Sequence, residues 1–258
     1  MRICDPHCHM YARTTGDYEK MAVAGIVRII EPAFWLGEPR LHAGTFFDYF
    51  RHLLGFEHRR AAQYGIEQRV AIALNPRESN NPELREKVLP RLAEFIRHEN
   101  CVAVGEIGFD DITDGEEESF RRQLELAFEN DRVAMIHTAH RNKLESVKRT
   151  LRVIQEMKLD ENRILIDHNT EETTGYVKAN SDCWMGHTVY PTKLSPERFA
   201  NIFEEHGVEK LVVNSSTDWG PSDPLSVPRA VRELRRRGVA EKAIEQLVWT
   251  NPCSFYWR

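Results

Sequence analysis

The chain has 258 residues, of which 41% are hydrophobic and 29% charged, and its mean hydropathy of -0.52 predicts a globular protein with a sizeable core. Its 35 Lys and Arg residues against 40 Asp and Glu residues give a formal net charge of -5, which does not favour long-range attraction to nucleic acid. No run approaches about 18 apolar residues, so we expect no membrane-spanning helix and no membrane partner.

The cysteine pattern bears on the compartment. The chain has five cysteines, an odd number, with no C-x-x-C pair; they are Cys4, Cys8, Cys101, Cys183 and Cys253. This scatter is typical of a reduced intracellular protein without a disulfide framework. Because Asp5 interrupts any apolar run near the first residue, we expect no signal peptide and a cytoplasmic location.

Eight short apolar runs along the chain predict β-strands. They are nearly continuous in hydrophobic character rather than alternating, which is typical of parallel strands buried on both faces. The predicted strands are Arg2–Asp5, Gly25–Glu31, Arg69–Leu74, Val102–Ile107, Val133–His137, Arg163–Asp167, Cys183–Gly186 and Lys210–Asn214.

Amphipathic segments with a period of about 3.6 residues lie between these strands and predict helices. They are Pro82–Arg97, Glu116–Asn130, Lys143–Met157, Pro196–His206, Pro224–Arg237 and Glu241–Val248. Pro90 lies inside the first of them, where proline kinks or divides a helix. Eight strands alternating with helices favour an α/β fold of the (β/α)8 TIM-barrel type, with residues 1–258 as a single domain.

The segment Pro32–Gly55 is longer and richer in aromatic residues than a usual strand-to-helix loop. In a barrel it would follow the second strand on the side where active sites lie. It could be a packing lobe or a lid over the substrate, and we slightly favour the packing lobe.

The motif Asp5-Pro-His7-Cys-His9 follows the first predicted strand. On an extended backbone, residues two positions apart point to the same face, so His7 and His9 would lie together while Cys8 points the other way. Neutral imidazole is a ligand for transition metals, and two imidazoles on one face make half of such a site.

Other strands of the predicted barrel end in residues of the same chemical types. Glu106 lies at the end of the fourth, His137 ends the fifth, His168 follows the sixth and Asp218 follows the eighth. Because the carboxyl ends of barrel strands meet at one face, these side chains would converge with the two histidines of the first strand. Four histidines and two carboxylates at one barrel mouth predict a metal site.

Several of these segments resemble the TatD family of metal-dependent hydrolases, within the amidohydrolase-like barrel superfamily. The Asp5–His9 motif resembles the family's opening motif, and Val104-Gly-Glu-Ile-Gly-Phe-Asp110 resembles its strand-four motif almost letter for letter. Further matching segments are 120–127, 133–137, Thr217-Asp218, Asn251-Pro252 and Phe255-Tyr256. The resemblance therefore extends over most of the chain.

The resemblance implies a hydrolase with a binuclear centre of divalent metal ions. Its metal ligands would be His7, His9 and Asp218 for one ion, His137 and His168 for the other, and Glu106 between both. Glu106 and Asp218 would also serve catalysis, with Asp218 as the general base that takes a proton from water. Zinc is favoured, and manganese, nickel, cobalt and magnesium are the alternatives.

Four segments depart from the family pattern. The family's His-Pro after strand three is Asn75-Pro76 here, and the basic residue after strand five is displaced to Arg141. The turn after His168 becomes the acidic stretch Asn169–Thr174, and the turn after strand eight is extended over Asp218–Pro224. Since these segments would face the substrate, the resemblance leaves its identity open.

The leading hypothesis is hydrolysis of an ester, lactone, phosphoester or amide bond in a small polar substrate, with His187, Arg141 and Trp219 as candidates for substrate contact. One alternative is a metal-dependent deoxyribonuclease of the 3′-5′ exonuclease type, which the acidic stretch after His168 would disfavour. Another is a metal-binding barrel that serves as a non-catalytic pathway partner. A basic groove beside the mouth would favour DNA, and an enclosed aromatic pocket would favour a small molecule.

Overall fold

Eight parallel strands follow one another around the sheet in chain order, and each pairs with the next. The computed structural model describes residues 1–257. The strands are β1 (Ile3–Asp5), β2 (Ile26–Pro32), β3 (Glu67–Ala71), β4 (Cys101–Gly108), β5 (Val133–His137), β6 (Ile164–Ile166), β7 (Trp184–Thr188) and β8 (Leu211–Asn214). The predicted single-domain (β/α)8 barrel is confirmed.

The barrel closes just beyond the ends of β1 and β8. The backbone N–H of His9 donates to the carbonyl of Thr217 at 2.6 Å, and that of Ser216 donates to the carbonyl of His7 at 2.7 Å. These contacts hold the loop after β1 against the loop after β8. We call this end, where the strands finish, the mouth, and the opposite end, where they start, the base.

The helices lie around the barrel, and those before β8 connect successive strands. They are α1 (Thr15–Val23), α2 (Ala43–Arg51), α3 (His58–Ala62), α4 (Pro76–Ser79), α5 (Pro82–Val88), α6 (Leu92–Ile96), α7 (Asp114–Glu129), α8 (Lys143–Glu156), α9 (Thr174–Asn180), α10 (Pro196–His206), α11 (Ser226–Arg236), α12 (Glu241–Glu245) and α13 (Asn251–Tyr256). Within residues 1–257, no helix combines the length and apolar character that crossing a membrane requires.

Most predicted helices lie within two residues of their observed bounds, with two instructive differences. The predicted helix Pro82–Arg97 is divided around Pro90 into α5, a 3-10 turn at Leu89–Arg91 and α6, as the missing N–H of proline requires. The helix expected over Glu241–Val248 ends at Glu245 and continues as a π-helical turn over Gln246–Thr250. Short helices such as α1, α9 and α13 were not predicted, since they depend on tertiary packing more than on periodicity.

Two apolar cores stabilise the barrel. The larger core lies between the strands and the surrounding helices, and Cys8 belongs to it, pointing away from His7 and His9 as predicted. The smaller core fills the barrel interior below the mouth with residues from the strands and from α13; its buried members are Ile30, Ala71, Ala103, Val133, Met135, Leu165, Val212, Phe255 and Tyr256. Helix α13 therefore closes the base.

The aromatic segment after β2 has two roles. Its helix α2 buries Phe46, Phe47 and Phe50, so this part packs as a lobe against the barrel. Its first residues, Phe34 and Trp35, turn instead to the mouth, where they line the cavity described below.

Candidate metal centre

Glu106 lies at the centre of the four predicted histidine ligands. Its Oε1 is 3.2 Å from Nδ1 of His137 and 3.1 Å from Nε2 of His168. Its Oε2 is 3.6 Å from Nε2 of His7 and 3.8 Å from Nε2 of His9. Each carboxylate oxygen therefore faces its own pair of imidazole nitrogens.

In every one of these histidines the second ring nitrogen faces another protein group. Nδ1 of His7 is 2.6 Å from Asp167 Oδ2, and Nδ1 of His9 is 3.2 Å from the carbonyl of Pro32. Nδ1 of His168 is 2.6 Å from the hydroxyl of Thr188, and Nε2 of His137 is 3.7 Å from Asp110. Such partners fix ring orientation and tautomer, which is how proteins prepare imidazole to bind a metal.

A hydrogen-bond chain behind the site connects the two sides of the centre. The hydroxyl of Thr188 donates to Asn214 Oδ1 at 2.9 Å, and the amide of Asn214 donates to Asp167 Oδ1 at 2.9 Å. Asp167 in turn accepts from His7. A side chain at Gly186 would place its Cβ only 2.2 Å from Asp167 Oδ1, so glycine at this position leaves the space that Asp167 occupies.

The electrostatics of the cluster follow from burial and close charges. Burial alone would raise the pKa of Glu106, but the charge of His7 and hydrogen bonds from His137 and His168 hold it well below its ordinary value. Burial alone would lower the pKa of His7, but Glu106 and Asp167 raise it to about 9. Burial lowers the pKa of His9, as does the charge of neighbouring His7. Glu106 is thus a carboxylate at neutral pH.

His7, Glu106 and His168 form one group that could hold a metal ion, since their ligand atoms all lie within 4.8 Å of one another. Asp218 borders the same cavity but lies outside this group. Its Oδ1 accepts hydrogen bonds from the backbone N–H of Gly220 at 2.7 Å and from the hydroxyl of Tyr190 at 3.1 Å. These bonds hold the carboxylate at the rim of the cluster.

A cavity of about 250 Å³ opens above the cluster, with one aromatic wall. The ring of Phe34 stacks on His9 with 3.7 Å between centroids and lies 4.9 Å from the ring of Trp219. The ring of Trp35 lies 6.0 Å from that of Trp219. The loops after β2 and β8 therefore build this wall together, and Trp219, a predicted substrate contact, is part of it.

The charged residues that line the cavity, among those the structure describes, are Arg77, Lys193, Glu106, Asp110 and Asp218. Lys193 Nζ lies 3.2 Å from Nδ1 of His168, and Arg77 lies over the ring of Trp35 with 3.9 Å from its guanidinium carbon to the ring centroid. Burial lowers the pKa of Lys193, although the nearby carboxylates oppose this shift. Two cations against three carboxylates do not make a basic groove.

Two residues predicted to contact substrate, His187 and Arg141, are not among the described residues that line the cavity. His187 was expected to face the mouth, but it is fully buried, lies 2.9 Å from the hydroxyl of Thr174 in α9 and packs on Phe199 of α10. Because β7 extends to Thr188, alternation turns Gly186 and Thr188 inward and His187 outward. Arg141 is exposed and is not among the described residues that line the cavity.

The acidic stretch after His168 is also not where it was expected. Glu171 is exposed and forms an ion pair with Arg198 at 2.7 Å, and neither it nor Glu172 is among the described residues that line the cavity. Asn75, in place of the family's histidine, lines the cavity and accepts from the N–H of Glu78 at the start of α4. The acidic stretch therefore gives no reason to disfavour a phosphate group at the site.

Sequence reasoning missed Asp167, Asp110 and Thr188 as partners of the histidines. Asp167 directly precedes His168, and Asp110 ends the motif that begins at Val104, so their positions in the sequence carried a signal. Thr188 carried none, because its contact with His168 depends on how β6 and β7 lie side by side.

Comparisons with known proteins agree with this geometry. A family model described as "TatD related DNase" matches residues 4–257. A protein of Methanocaldococcus jannaschii described as an uncharacterized metal-dependent hydrolase is 31% identical over 256 residues, 98% of each chain.

Solved structures give the same result for the fold. A TatD-like protein from Archaeoglobus fulgidus has a TM-score of 0.75 and 28% identity, covering 94% of this chain and 98% of that one. A lactonase from Listeria monocytogenes has a TM-score of 0.66 and 14% identity, covering 99% of this chain and 94% of that one. At this lower identity the likeness concerns the barrel fold alone.

Proposed function

This chain belongs to the family of TatD-related DNases and is a metal-dependent hydrolase, and we propose that it uses a binuclear divalent-metal centre to hydrolyse small polar substrates. The position of Glu106 favours two ions over one, because each of its oxygens faces a separate pair of imidazole nitrogens within 3.8 Å. The proposed ligands are His7, His9 and Asp218 for one ion, His137 and His168 for the other, and Glu106 for both.

The donor set fits divalent transition metals. Imidazole nitrogen and carboxylate oxygen together suit zinc, which we favour, and also manganese, nickel and cobalt, with magnesium the least suited to imidazole. Asp167 and Thr188 hold the far nitrogens of His7 and His168, so those rings need not reorient to present Nε2. When bound, a pair of such cations polarises the scissile group and lowers the pKa of water toward neutrality.

Asp218 is the proposed acceptor of the proton that the attacking water loses. Its Oδ1 is held by Gly220 and Tyr190, and within residues 1–257 no hydrogen bond reaches its Oδ2. Oδ2 is thus available to a water molecule at the edge of the cluster. Its carboxylate would take the proton and pass it to the leaving group, which is general acid–base catalysis by one positioned side chain.

The shape of the cavity favours a small molecule that has both a planar or apolar part and an anionic group. Phe34, Trp35 and Trp219 offer aromatic faces to the former. Lys193 and Arg77, which both line the cavity, offer positive charge to the latter. An ester, lactone, phosphoester or amide of this description would be held with its scissile bond over Glu106.

Metal analysis tests the centre itself. Protein purified without chelator, or reloaded with zinc, manganese, cobalt or nickel, is expected to hold two equivalents of divalent metal, and Glu106→Gln is expected to hold fewer. A parent chain that takes up one equivalent under every condition contradicts the binuclear centre. A chain that takes up none contradicts the whole proposal.

A substrate panel tests the aromatic wall. Turnover is measured on carboxyl esters, lactones, phosphomonoesters, phosphodiesters and amides, each with and without an aromatic group. With the best substrate, Trp219→Ala should raise KM about tenfold and leave kcat near its parent value. Phe56→Ala is a matched control, because Phe56 is 50% exposed and Trp219 is 49% exposed. Equal KM values for the two variants would place the substrate away from this wall.

A 3′-5′ deoxyribonuclease is the second candidate, favoured by one observation. Three aromatic rings beside two cations would also suit a terminal nucleotide, whose base stacks on aromatic side chains while its phosphate meets Lys193 and Arg77. End-labelled single strands separate the two candidates. Stepwise release of nucleotides from the 3′ end, faster than turnover of every small substrate, would support the nuclease.

A further inference from the structure

Two cysteines from opposite ends of the chain meet at the base of the barrel. Cys4 lies in β1 and Cys253 lies in α13, and the thiol of Cys4 hydrogen-bonds to the sulfur of Cys253. All five cysteines of the chain are free thiols in this structure. None of the proposed chemistry at the mouth uses this pair.

A positive charge is positioned on one of the two sulfurs. Arg28 pairs with Cys4 in the register of β1 and β2, and its Nη1 donates to Cys253 Sγ at 3.4 Å. Its guanidinium lies over the rings of Trp249 and Trp257, with centroids at 5.0 Å and 4.7 Å, and pairs with Glu67 at 2.8 Å. The cation is therefore held in place beside Cys253 by contacts on several sides.

The two sulfurs differ in exposure and in acidity. Cys4 is fully buried, whereas Cys253 is partly exposed to solvent. The hydrogen bond from Cys4 and the charge of Arg28 lower the pKa of Cys253, against the opposing effects of burial and Glu67. Burial raises the pKa of Cys4, and so does its partner sulfur. Reactive cysteines sit in such electropositive, partly exposed surroundings, often next to a second cysteine.

We propose that Cys253 and Cys4 form a reversible thiol–disulfide pair at the base of the barrel, in which Cys253 reacts first with a hydroperoxide and Cys4 resolves the product. This modification site is independent of the proposed metal centre. It differs from a structural disulfide because the sulfur of Cys253 is partly exposed to small oxidants, while that of Cys4 is buried next to it.

The chemistry balances in two steps. The sulfur of Cys253 bonds to one peroxide oxygen, the O–O bond breaks, and the leaving hydroxide takes the thiol proton as water. The sulfur of Cys4 then bonds to that of Cys253, the S–O bond breaks, and hydroxide leaves as water with the proton from Cys4. The two thiols lose two electrons together, hydrogen peroxide is reduced to two waters, and a dithiol reductant reverses the reaction.

Peptide mapping of the full-length, metal-bound protein tests the pair. After hydrogen peroxide and denaturing alkylation, a peptide that joins Cys4 to Cys253 is expected, and it should disappear with dithiothreitol. Cys101 and Cys183, which are buried, should remain alkylated thiols. Oxidation of Cys253 to sulfinic acid while Cys4 stays a free thiol would overturn the proposal.

Variants assign the two roles. Cys4→Ser should leave a sulfenic acid at Cys253 that dimedone traps, whereas Cys253→Ser should protect Cys4 from peroxide. Cys183→Ser is the matched control and should still form the disulfide. Dimedone labelling of Cys4 in the Cys253→Ser variant, at the rate seen for Cys253, would reverse the assignment.

The contribution of Arg28 is measured by alkylation. The rate of iodoacetamide labelling of Cys253 in the parent should reach half its maximum near pH 6, where the pKa of Cys253 lies, rather than at the ordinary thiol value of about 8.5. Arg28→Gln should slow labelling at pH 6 about tenfold, while exposed Arg232→Gln should not. A parent midpoint near 8.5 would overturn the assignment of Cys253 as the reactive thiol, whether or not the Arg28 variant folds.

Discussion

The two ends of the barrel interior differ in polarity: the mouth holds polar side chains and the base holds apolar ones. At the mouth, Glu106, His7, His9 and His168 are buried and His137 is partly buried, and each of the four histidines has a second polar partner. At the base, the interior is filled by aliphatic side chains and by the rings of Phe255 and Tyr256. Two strands contribute to both layers: in β4, Ala103 precedes Glu106, and in β5, Val133 and Met135 precede His137.

This contrast shows how one barrel separates stability from chemistry. Buried polar groups at the mouth must be paired, so they contribute little net stability and are affected by every change in charge. Apolar packing at the base is insensitive to charge and contributes by area buried. In TIM barrels, residues at the strand C-termini serve function and those at the N-termini serve stability. Substitutions at the mouth should therefore reduce metal binding and catalysis, whereas substitutions at the base should reduce stability.

The largest expected effect is from Glu106→Gln. Removing the charge that faces four imidazole nitrogens should lower metal content and reduce kcat/KM about 1,000-fold or more, equivalent to about 4 kcal/mol of transition-state stabilisation. Metal analysis and steady-state kinetics measure both effects. The matched control at the base is Glu67→Gln, which loses a partly exposed pair with Arg28 and should change stability by less than about 1 kcal/mol. Equal loss of metal in both variants would contradict the separation.

The opposite pattern, lower stability with metal content and kcat unchanged, is expected from Phe255→Ala. The ring is fully buried in the barrel interior, and its removal should lower the free energy of unfolding by about 3 to 5 kcal/mol. Urea unfolding measures this change, with the exposed Phe56→Ala as control, which should lie within about 0.5 kcal/mol of the parent. Metal content and kcat of the folded variant should stay at parent values. A folded Phe255 variant without metal would show that the two ends are coupled.

A smaller effect at the mouth is expected from Asp167→Asn. The amide would place a donor against ring or amide groups that now donate to Asp167, so His7 would be less well oriented. Metal affinity should fall about 10- to 100-fold, as is usual when a group behind a ligand is changed. Competition with a chelator measures it. Asp131→Asn, an exposed aspartate just before β5, is the control and should leave affinity unchanged.

The sequence was sufficient to predict six of the eight strand ends within one residue, because parallel strands appear as apolar runs. The ends of β3 and β7 differ, since β3 ends three residues earlier and β7 two residues later than predicted. Val133–His137 was predicted with the observed bounds, and Glu106, His7, His9, His137 and His168 are brought together as expected. Asp218 stays a predicted ligand. These predictions required only local patterns and the rule for where barrel strands end.

Features that depend on contacts between distant segments could not be read in this way. The direction of His187 depends on where β7 ends. The strand ends two residues later than predicted, and the side chain of His187 contacts α9 rather than facing the mouth. The meeting of Cys4 with Cys253 depends on α13 closing the base, and that helix has too few residues to show a period. The network of Asp167 and Asn214 depends on the lateral order of the strands.

A buried acid beside the mouth tests whether polar burial there has a cost, through an effect that is small at each pH and accumulates over several pH units. Glu31, in β2, accepts from the N–H of Tyr11 and the amide of Gln68, each at 2.6 Å. Burial raises its pKa from 4.5 to about 8, and the charge of Glu57 adds to the shift. Between these values the folded state holds a proton that the unfolded state has lost, so stability should rise as pH falls from 8 toward 4.5.

Glu31→Gln should remove this dependence, because a neutral amide has the shape of the protonated acid and Gln68 has a buried Oε1 without a partner that could accept from it. The slope of unfolding free energy against pH between about 5 and 8 should change by about 1 kcal/mol per pH unit, and the variant should exceed the parent in stability at pH 8. Urea unfolding at several pH values measures the slope, and differences from the parent at each pH remove any common effect of metal loss. Exposed Glu38→Gln is the control and should keep the parent slope. If Glu31→Gln also keeps that slope, then Glu31 is already ionised in the folded barrel, and its hydrogen bonds from Tyr11 and Gln68 compensate for its burial.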